Sequence, residues 1–271
     1  MKIHPTAIVH PHAKLADDVE IGPFSIIGEN VEIGAGTVVR SSCVIDGWTT
    51  IGCENIIHPG AIIGAEPQDV GYHGERAFVR VGDRNILREY VTIHRGARED
   101  TETVVGSDNM LMANVHVAHN CRVGNQVTIA NYAGMAGYAQ IGDQAVLGGL
   151  CGLHQFVRVG RLCMVGGVAK VNKDVPPFCM ADGNPMRLFG TNFRGMRRRD
   201  ISAEARNAVK QAYNILISGK PLSVSIAAIE AEVEPFEEIK QFLEFLKEKS
   251  RMGVLLRAGM GAHVERAGAE K

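Results

Sequence analysis

One spacing governs this chain: an aliphatic residue every six positions, beginning at Ile3. Of the 29 positions from 3 to 171 in steps of six, all but Asp69, Glu75 and Glu99 are Ile, Leu, Val or Met. A period of six fits neither the 3.6-residue helix nor the alternation of a simple hairpin sheet. It fits a short strand followed by a corner, with the aliphatic side chain pointing inward. Gly often comes next (Gly22, Gly34, Gly82, Gly124, Gly142, Gly160), as a tight corner permits. Four after most aliphatics stands a small or slim residue, such as Ser25, Cys43, Ala61, Cys121 or Ala139. Three such sides close a triangular coil of 18 residues, and coils stack about 4.8 Å apart by strand pairing. The expected fold is therefore mainly β, a parallel β-helix of about eight to nine coils and about 40 Å over residues 3–173.

Composition agrees. Aromatics are 6% of 271 residues, with one Trp, while Gly numbers 31, which suits thin repeated layers better than an aromatic-packed core. The frame breaks keep register because each insertion is a multiple of six. Within a prism of residues 1–175, loops are expected at 64–80 and 96–104, where function tends to sit. Beyond Asp174-Val175-Pro176-Pro177 the pattern ends, and residues 176–271 read as a small helical domain. Ser202 caps a helix of about 203–217 closed by Gly219. Others fit roughly 223–233 and 236–249, divided by Pro235, before a frayed tail at 258–271.

Several classes of function are disfavoured. Basic and acidic residues number 29 and 30, so no global polyanion-binding surface, and no nucleic-acid partner, is expected. No secretory leader or membrane-spanning stretch is visible. The six cysteines then read as reduced thiols of a cytoplasmic protein, and Cys43, Cys121, Cys151 and Cys163 occupy the small inward slot as core. A local basic run, Arg194, Arg197, Arg198 and Arg199, is either a solvated face or a partner for phosphate or an acidic protein.

Stacking converts spacing into proximity, since residues 18 apart share a column. His119, Gly137 and Gln155 form one column, flanked by Ala118, Ala136 and His154 and by Asn120, Tyr138 and Phe156; His116 lies on the adjoining side. A histidine base, a Gln and a bare glycine N–H can together serve a proton transfer and a developing oxyanion. Isolated corner histidines such as His4, His10 and His58 read as hydrogen-bonded caps; for His119 both readings stay open. A zinc site of His94, His116 and His119 across a subunit boundary is a further reading. No acidic partner stands beside these residues, which favours a site without metal.

The ordered segments Gln68-Asp69, Thr92-Ile93-His94-Arg95-Gly96, Gly106-Ser107-Asp108-Asn109, His116-Val117-Ala118-His119, His154-Gln155-Phe156, Met164-Val165-Gly166-Gly167 and Gly183-Asn184 resemble the UDP-N-acetylglucosamine acyltransferase family of lipid A biosynthesis, over about residues 1–250. The resemblance implies a left-handed β-helix assembled as a homotrimer, with sites between adjacent prisms and no cofactor or metal. It implies that His119 is the general base for the sugar 3-hydroxyl, or the 3-amine of an analogue. The acyl donor is then a hydroxyacyl thioester on acyl carrier protein, and the Gly137 N–H meets the oxyanion.

By the same resemblance, Gln68 and Asp69 contact the sugar nucleotide from a neighbouring subunit's loop. His94, His116, Tyr138, His154, Gln155, Asn192 and Arg199 contact substrate, Arg198 faces the carrier protein or the diphosphate, and Gly167 floors the acyl groove. Three positions depart from the family pattern: Asn120 where Asp is common, Tyr138 where His is usual, and Arg194 where an acid is usual. Asn120 still fixes a tautomer of His119 but stabilises its cation less. Rivals are the later N-acyltransferase of the pathway, which carries an extra uridine-binding domain, a metal-dependent lyase of the carbonic anhydrase type, and a non-catalytic scaffold.

Overall fold

The structure, a computed structural model, describes residues 1–258. Three parallel sheets of short strands form the faces of a triangular prism, and strands 18 residues apart pair directly, as Lys2 with Glu20 and Ile3 with Ile21. We call them the first, second and third sheets, beginning with Lys2–Ile3, Ile8–Val9 and Lys14–Leu15. The hexad aliphatics point inward: Ile45, Ile57, Ile63, Leu87 and Ile93 are fully buried. All six cysteines are free thiols. Burial pushes Cys121 and Cys163 up to about 12 and Cys151 to about 11, so these thiols stay protonated and act as core.

The hexad glycine has a different task from the one its sequence suggests. The left-handed residue at each corner is usually the one three after the aliphatic, as at Phe24, Asn120, Tyr138 and Phe156, with φ of 59°, 61°, 62° and 68°. The glycine instead permits coils to touch. A Cβ on Gly34 would stand 2.7 Å from the carbonyl carbon of Gly52 in the next coil. Because the left-handed residue is mostly not glycine, its side chain projects outward, and stacked corners present columns of such side chains.

Insertions lengthen the step without disturbing register. Ile63 pairs with Ile93 and Ile93 with Val117, so the extra residues leave the stack. The loops are shorter than the sequence suggests, running from 66 to 77 and from 95 to 101, because Ile62–Ala65, Phe78–Val81 and Glu102–Val105 are four-residue strands. Both loops leave the corner between the second and third sheets.

The first sheet continues past position 175. Cys179–Asp182 pairs with Met164–Val165 in parallel and with Arg187–Thr191 as an antiparallel hairpin that hexad counting does not reveal. Four helices follow: α1 (Phe193–Arg198), α2 (Ala203–Leu216), α3 (Leu222–Glu232) and α4 (Glu237–Lys247). Ser202 caps α2 as expected, accepting from the Ala205 N–H at 3.1 Å. The run of arginines is itself helix α1 rather than a lead-in to the first helix. Six residues with only Met196 buried are too short to show an amphipathic period.

The helical part is tied to the prism by Arg158, only 6% exposed. Its Nε donates to Asp174 Oδ2 at 2.8 Å, its Nη1 pairs with Glu248, and its guanidinium lies 4.4 Å from the Phe245 ring centroid. Ala258 bridges to Leu188; the rest of the expected frayed tail lies outside the described residues. No helix among the described residues is long and apolar enough to cross a membrane.

Candidate active site

His119, Gly137 and Gln155 occupy successive turns of the corner from which both loops emerge. Stacking is direct: the Tyr138 N–H donates to His119 O at 3.1 Å and the Phe156 N–H to Gly137 O at 3.2 Å. The His119 ring, in a residue 5% exposed, fills the space beside Gly137 where a Cβ would stand. A Cβ at 137 would fall inside the ring's van der Waals envelope, so only glycine permits this placement. Among the described residues the Gly137 N–H meets no acceptor, which leaves a donor beside the imidazole free for a ligand.

The tautomer of His119 follows from its neighbours. Asn120 Oδ1 accepts from the Ala97 N–H at 3.0 Å, which identifies that atom as the acceptor end of the amide. It also lies 2.9 Å from His119 Nδ1. An acceptor facing Nδ1 requires the proton there, so the Nε2 lone pair is free to take a proton. Asn120 thus performs the orienting half of what a carboxylate does and supplies no charge.

The first loop brings a carboxylate toward this corner. Asp69 accepts from the Gly71 N–H at 2.8 Å and pairs with Arg98 at 3.4 Å. The Gly71 N–H chiefly, and then Arg98 and His119, hold its carboxyl below the usual range. Gln68 beside Asp69 is exposed. Arg95, 8% exposed, pins the loop: it donates to Tyr72 Oη at 3.0 Å and Gly64 O at 2.9 Å and packs over the Tyr72 ring. Neither Arg95 nor Arg98 is announced by the 18-residue spacing, because the inserted loop lengthens the step that brings Arg95 into register with His119.

On the outer face of the second sheet, His94 and His116 pack edge to face with ring centroids 5.2 Å apart. His94 Nδ1 bonds the Glu66 carbonyl, and His116 Nδ1 lies 2.8 Å from Thr92 Oγ1. Burial first, then the charges of His94 and His119, keep His116 below the ordinary imidazole range. Within one chain His94, His116 and His119 do not bring three ligand atoms within 4.8 Å of one another. Above His116 in register stand Gly134 and Gly152, where an added Cβ would meet nothing within 4 Å. That bare strip leads from the His119 corner toward Gly149 and Gly167 at the corner between the first and second sheets.

On the other side of His119, Tyr138 meets it edge to face at 5.3 Å and stacks on Phe156 at 5.0 Å. Arg251 covers Phe156 at 4.4 Å. These rings, with Asn120, Arg122 and Lys249, line an open cleft of about 530 Å³ on the third sheet. Lys249 and Arg251 arrive from more than 90 residues away, and no local spacing announces them. His154 is exposed, with Nδ1 3.1 Å from Gln155 O, and Gln155 is half-buried.

The structure thus gathers His94, His116, His119, Gly137, Tyr138, His154, Gln155 and the Gln68–Asp69 loop around one corner. It places Gly167, Asn192, Arg198 and Arg199 elsewhere. Arg199 bonds Gln126 at the corner between the third and first sheets. Asn192 is 7% exposed and caps α1, with Oδ1 accepting from the Gly195 N–H at 3.0 Å and Nδ2 donating to Leu162 O at 2.8 Å.

A triangular parallel β-helix with an imidazole and a bare glycine amide at one corner is the build of a hexapeptide-repeat acyltransferase. The comparisons agree and go further. Residues 12–47 and 102–137 match the family of bacterial transferase hexapeptides, and residues 174–255 match the second domain of UDP-N-acetylglucosamine O-acyltransferases. The acyl-[acyl-carrier-protein]–UDP-N-acetylglucosamine O-acyltransferase of Thermodesulfovibrio yellowstonii is 45% identical, over 92% of this chain and 98% of its own. That of Thiobacillus denitrificans is 47% identical, over 92% and 97%. The crystal structure of UDP-N-acetylglucosamine O-acyltransferase from Moraxella catarrhalis superposes with a TM-score of 0.91 at 40% identity, covering 95% of this chain and all of the other. The chain belongs to the UDP-N-acetylglucosamine O-acyltransferase family, and its β-helix is left-handed.

Proposed function

We propose that this protein transfers a 3-hydroxyacyl chain from acyl carrier protein to the 3-position of UDP-N-acetylglucosamine, the opening step of lipid A biosynthesis. The observation that carries this reading is the pairing of a free His119 Nε2 lone pair with an uncommitted Gly137 N–H. Nε2 takes the proton of the sugar 3-hydroxyl as its oxygen bonds to the thioester carbon. The tetrahedral oxyanion accepts from the Gly137 N–H. The C–S bond then breaks, and the imidazolium returns its proton to the carrier's thiolate, so atoms and charges balance. Loss of a general base costs about 10²- to 10⁴-fold in rate.

The bare strip of Gly134 and Gly152 is the track for the acyl chain, with Gly167 at its far end. Gly167→Met is expected to shift preference toward shorter donors; unchanged relative rates across donor lengths would sink that assignment. The active assembly is a homotrimer. Asn192, Arg198 and Arg199 stand at a different corner from His119, so they serve a His119 site only if it belongs to a neighbouring copy. The second sheet also carries an outward column of Ile8, Ile26, Val44 and Ile62, of which Ile8 is 65% exposed, suited to burial between prisms. In this arrangement the prism, residues 1–175, carries the chemistry. The C-terminal part, 176–271, supplies Arg198 to the acidic carrier or the diphosphate. The protein works in the cytoplasm, where carrier and nucleotide sugar meet.

The test is mass spectrometry of products from acyl carrier protein donors of graded length, with UDP-N-acetylglucosamine and its 3-amino analogue as acceptors. O-acylated product from the wild type, falling about 10³-fold in His119→Ala, is expected. Transfer at an undiminished rate by His119→Ala would remove the base from the mechanism.

A further inference from the structure

The first coil is the exposed edge of the prism. Ile3 is 41% exposed, while Ile21 and Ile57 above it in the same inward column are at 1% and 0%. Among the described residues no strand pairs with its outer edge. At the corner between its second and third strands stands His10-Pro11-His12, and from the next coil Glu29 reaches the same spot. The imidazole centroids lie 5.1 Å apart at 73°, and His12 Nδ1 is 3.0 Å from Glu29 Oε1. Ligand atoms of His10, His12 and Glu29 all fall within 4.8 Å of one another, and among the described residues no other three His, Cys, Asp or Glu side chains do so. His119 shares this edge but lies four coils beyond Glu29, about 19 Å along the prism at the strand-pairing spacing.

We propose that His10, His12 and Glu29 bind a divalent transition-metal ion of the zinc class, cross-linking the first two coils. Two imidazoles and one carboxylate suit zinc and its neighbours, whereas magnesium and calcium call for oxygen ligands. Ligands about 2.0–2.1 Å from a tetrahedral ion stand about 3.3 Å apart, close to the spacing His12 and Glu29 already have. In the metal-free corner the His12 ring donates its Nδ1 proton to Glu29. A shift of that proton to Nε2 turns the Nδ1 lone pair toward the ion with no net loss of protons. His10 Nδ1 already faces the cluster, accepting from the His12 N–H at 3.3 Å, so binding there displaces one long hydrogen bond. Pro11 holds the backbone between the two rings, which lowers the entropy lost on binding. Water completes the fourth position.

The test uses the chelator-stripped full chain, titrated calorimetrically with Zn²⁺ and with Mg²⁺. One zinc per chain, no magnesium uptake, and at least a tenfold weakening in both His12→Ala and Glu29→Gln are expected. Zinc at 100 times its Kd should raise the wild-type Tm but not that of His12→Ala. With Cu²⁺ as probe, electron paramagnetic resonance should show coupling to two nitrogens, falling to one in His10→Ala. Zinc affinity equal in wild type and the His10→Ala/His12→Ala double variant overturns the site. So does binding that survives in that double variant but is lost in His94→Ala. Acyl transfer by His12→Ala at the wild-type rate is expected, which separates failure of this site from failure of the proposed chemistry.

Discussion

Two corners of the same prism use the same repeat to opposite ends. At the corner between the third and first sheets, polar side chains are committed to the stack. Asp83 accepts from the Cys53 N–H at 2.7 Å, Asn125 from the Ser107 N–H at 2.8 Å, and Asp143 from the Asn125 N–H at 2.7 Å. Inside it, Asn85 donates from N–H and Nδ2 to Asn55 Oδ1 at 2.9 and 3.0 Å, and its own Oδ1 accepts from the Asn109 N–H at 2.9 Å. At the His119 corner, the Gly137 N–H and His119 Nε2 are left without partners among the described residues, and both insertions emerge there. A corner whose polar side chains are nearly all committed, with Asn109 Nδ2 the buried exception, stabilises the stack; a corner that keeps open donors and acceptors has them left for a substrate.

That contrast can be broken from either side. The largest effect is expected from Gly137→Ala, whose methyl displaces His119 and crowds the proposed oxyanion donor. Initial-rate assays should show kcat lower by about 10²- to 10³-fold, with unfolding little changed. Asn120→Ala removes the acceptor that sets the His119 tautomer and should lower kcat by about 10- to 100-fold with KM unchanged. Asn120→Asp should retain transfer, and equal loss in both variants would show that orientation by residue 120 is not what matters.

At the corner between the third and first sheets, Asn85→Ala is expected to lower unfolding stability by about 1–3 kcal/mol in urea titrations while leaving transfer per folded molecule within twofold. A kinetic defect as deep as that of Gly137→Ala would erase the distinction between the corners. The smallest effect concerns His116, whose pKa is depressed by burial and by its two histidine neighbours. The unfolded chain takes up this proton first as pH falls. Stability is therefore intact above the unfolded value of about 6.5 and declines below it until the folded value is passed. His116→Gln should flatten the dependence of Tm on pH in that window.

Much of this could be read from spacing because the coil is periodic. Ile3 to Val171 predict the prism, the 18-residue register predicts that His119, Gly137 and Gln155 share a column, and insertions in multiples of six predict loops outside the stack. The C-terminal part was less legible. Helix α1 is too short for periodicity, and the hairpin of Cys179–Asp182 and Arg187–Thr191 follows a change of step, since Val165 pairs with Ala181, 16 residues on. Arg251 over Phe156 and Arg158 beneath α4 join segments whose separation has no period at all.

Repetition let the sequence alone determine the architecture and the proximity of His119 and Gly137, because in a stacked coil distance along the chain is distance in space modulo one turn. What only the tertiary structure decided was the state of those residues: which histidine nitrogen carries the proton, that the Gly137 amide meets no acceptor among the described residues, and that Asp69 is held by Arg98 near His119. Those depend on loops and on hydrogen bonds across the fold, where geometry within tenths of an ångström selects the partner.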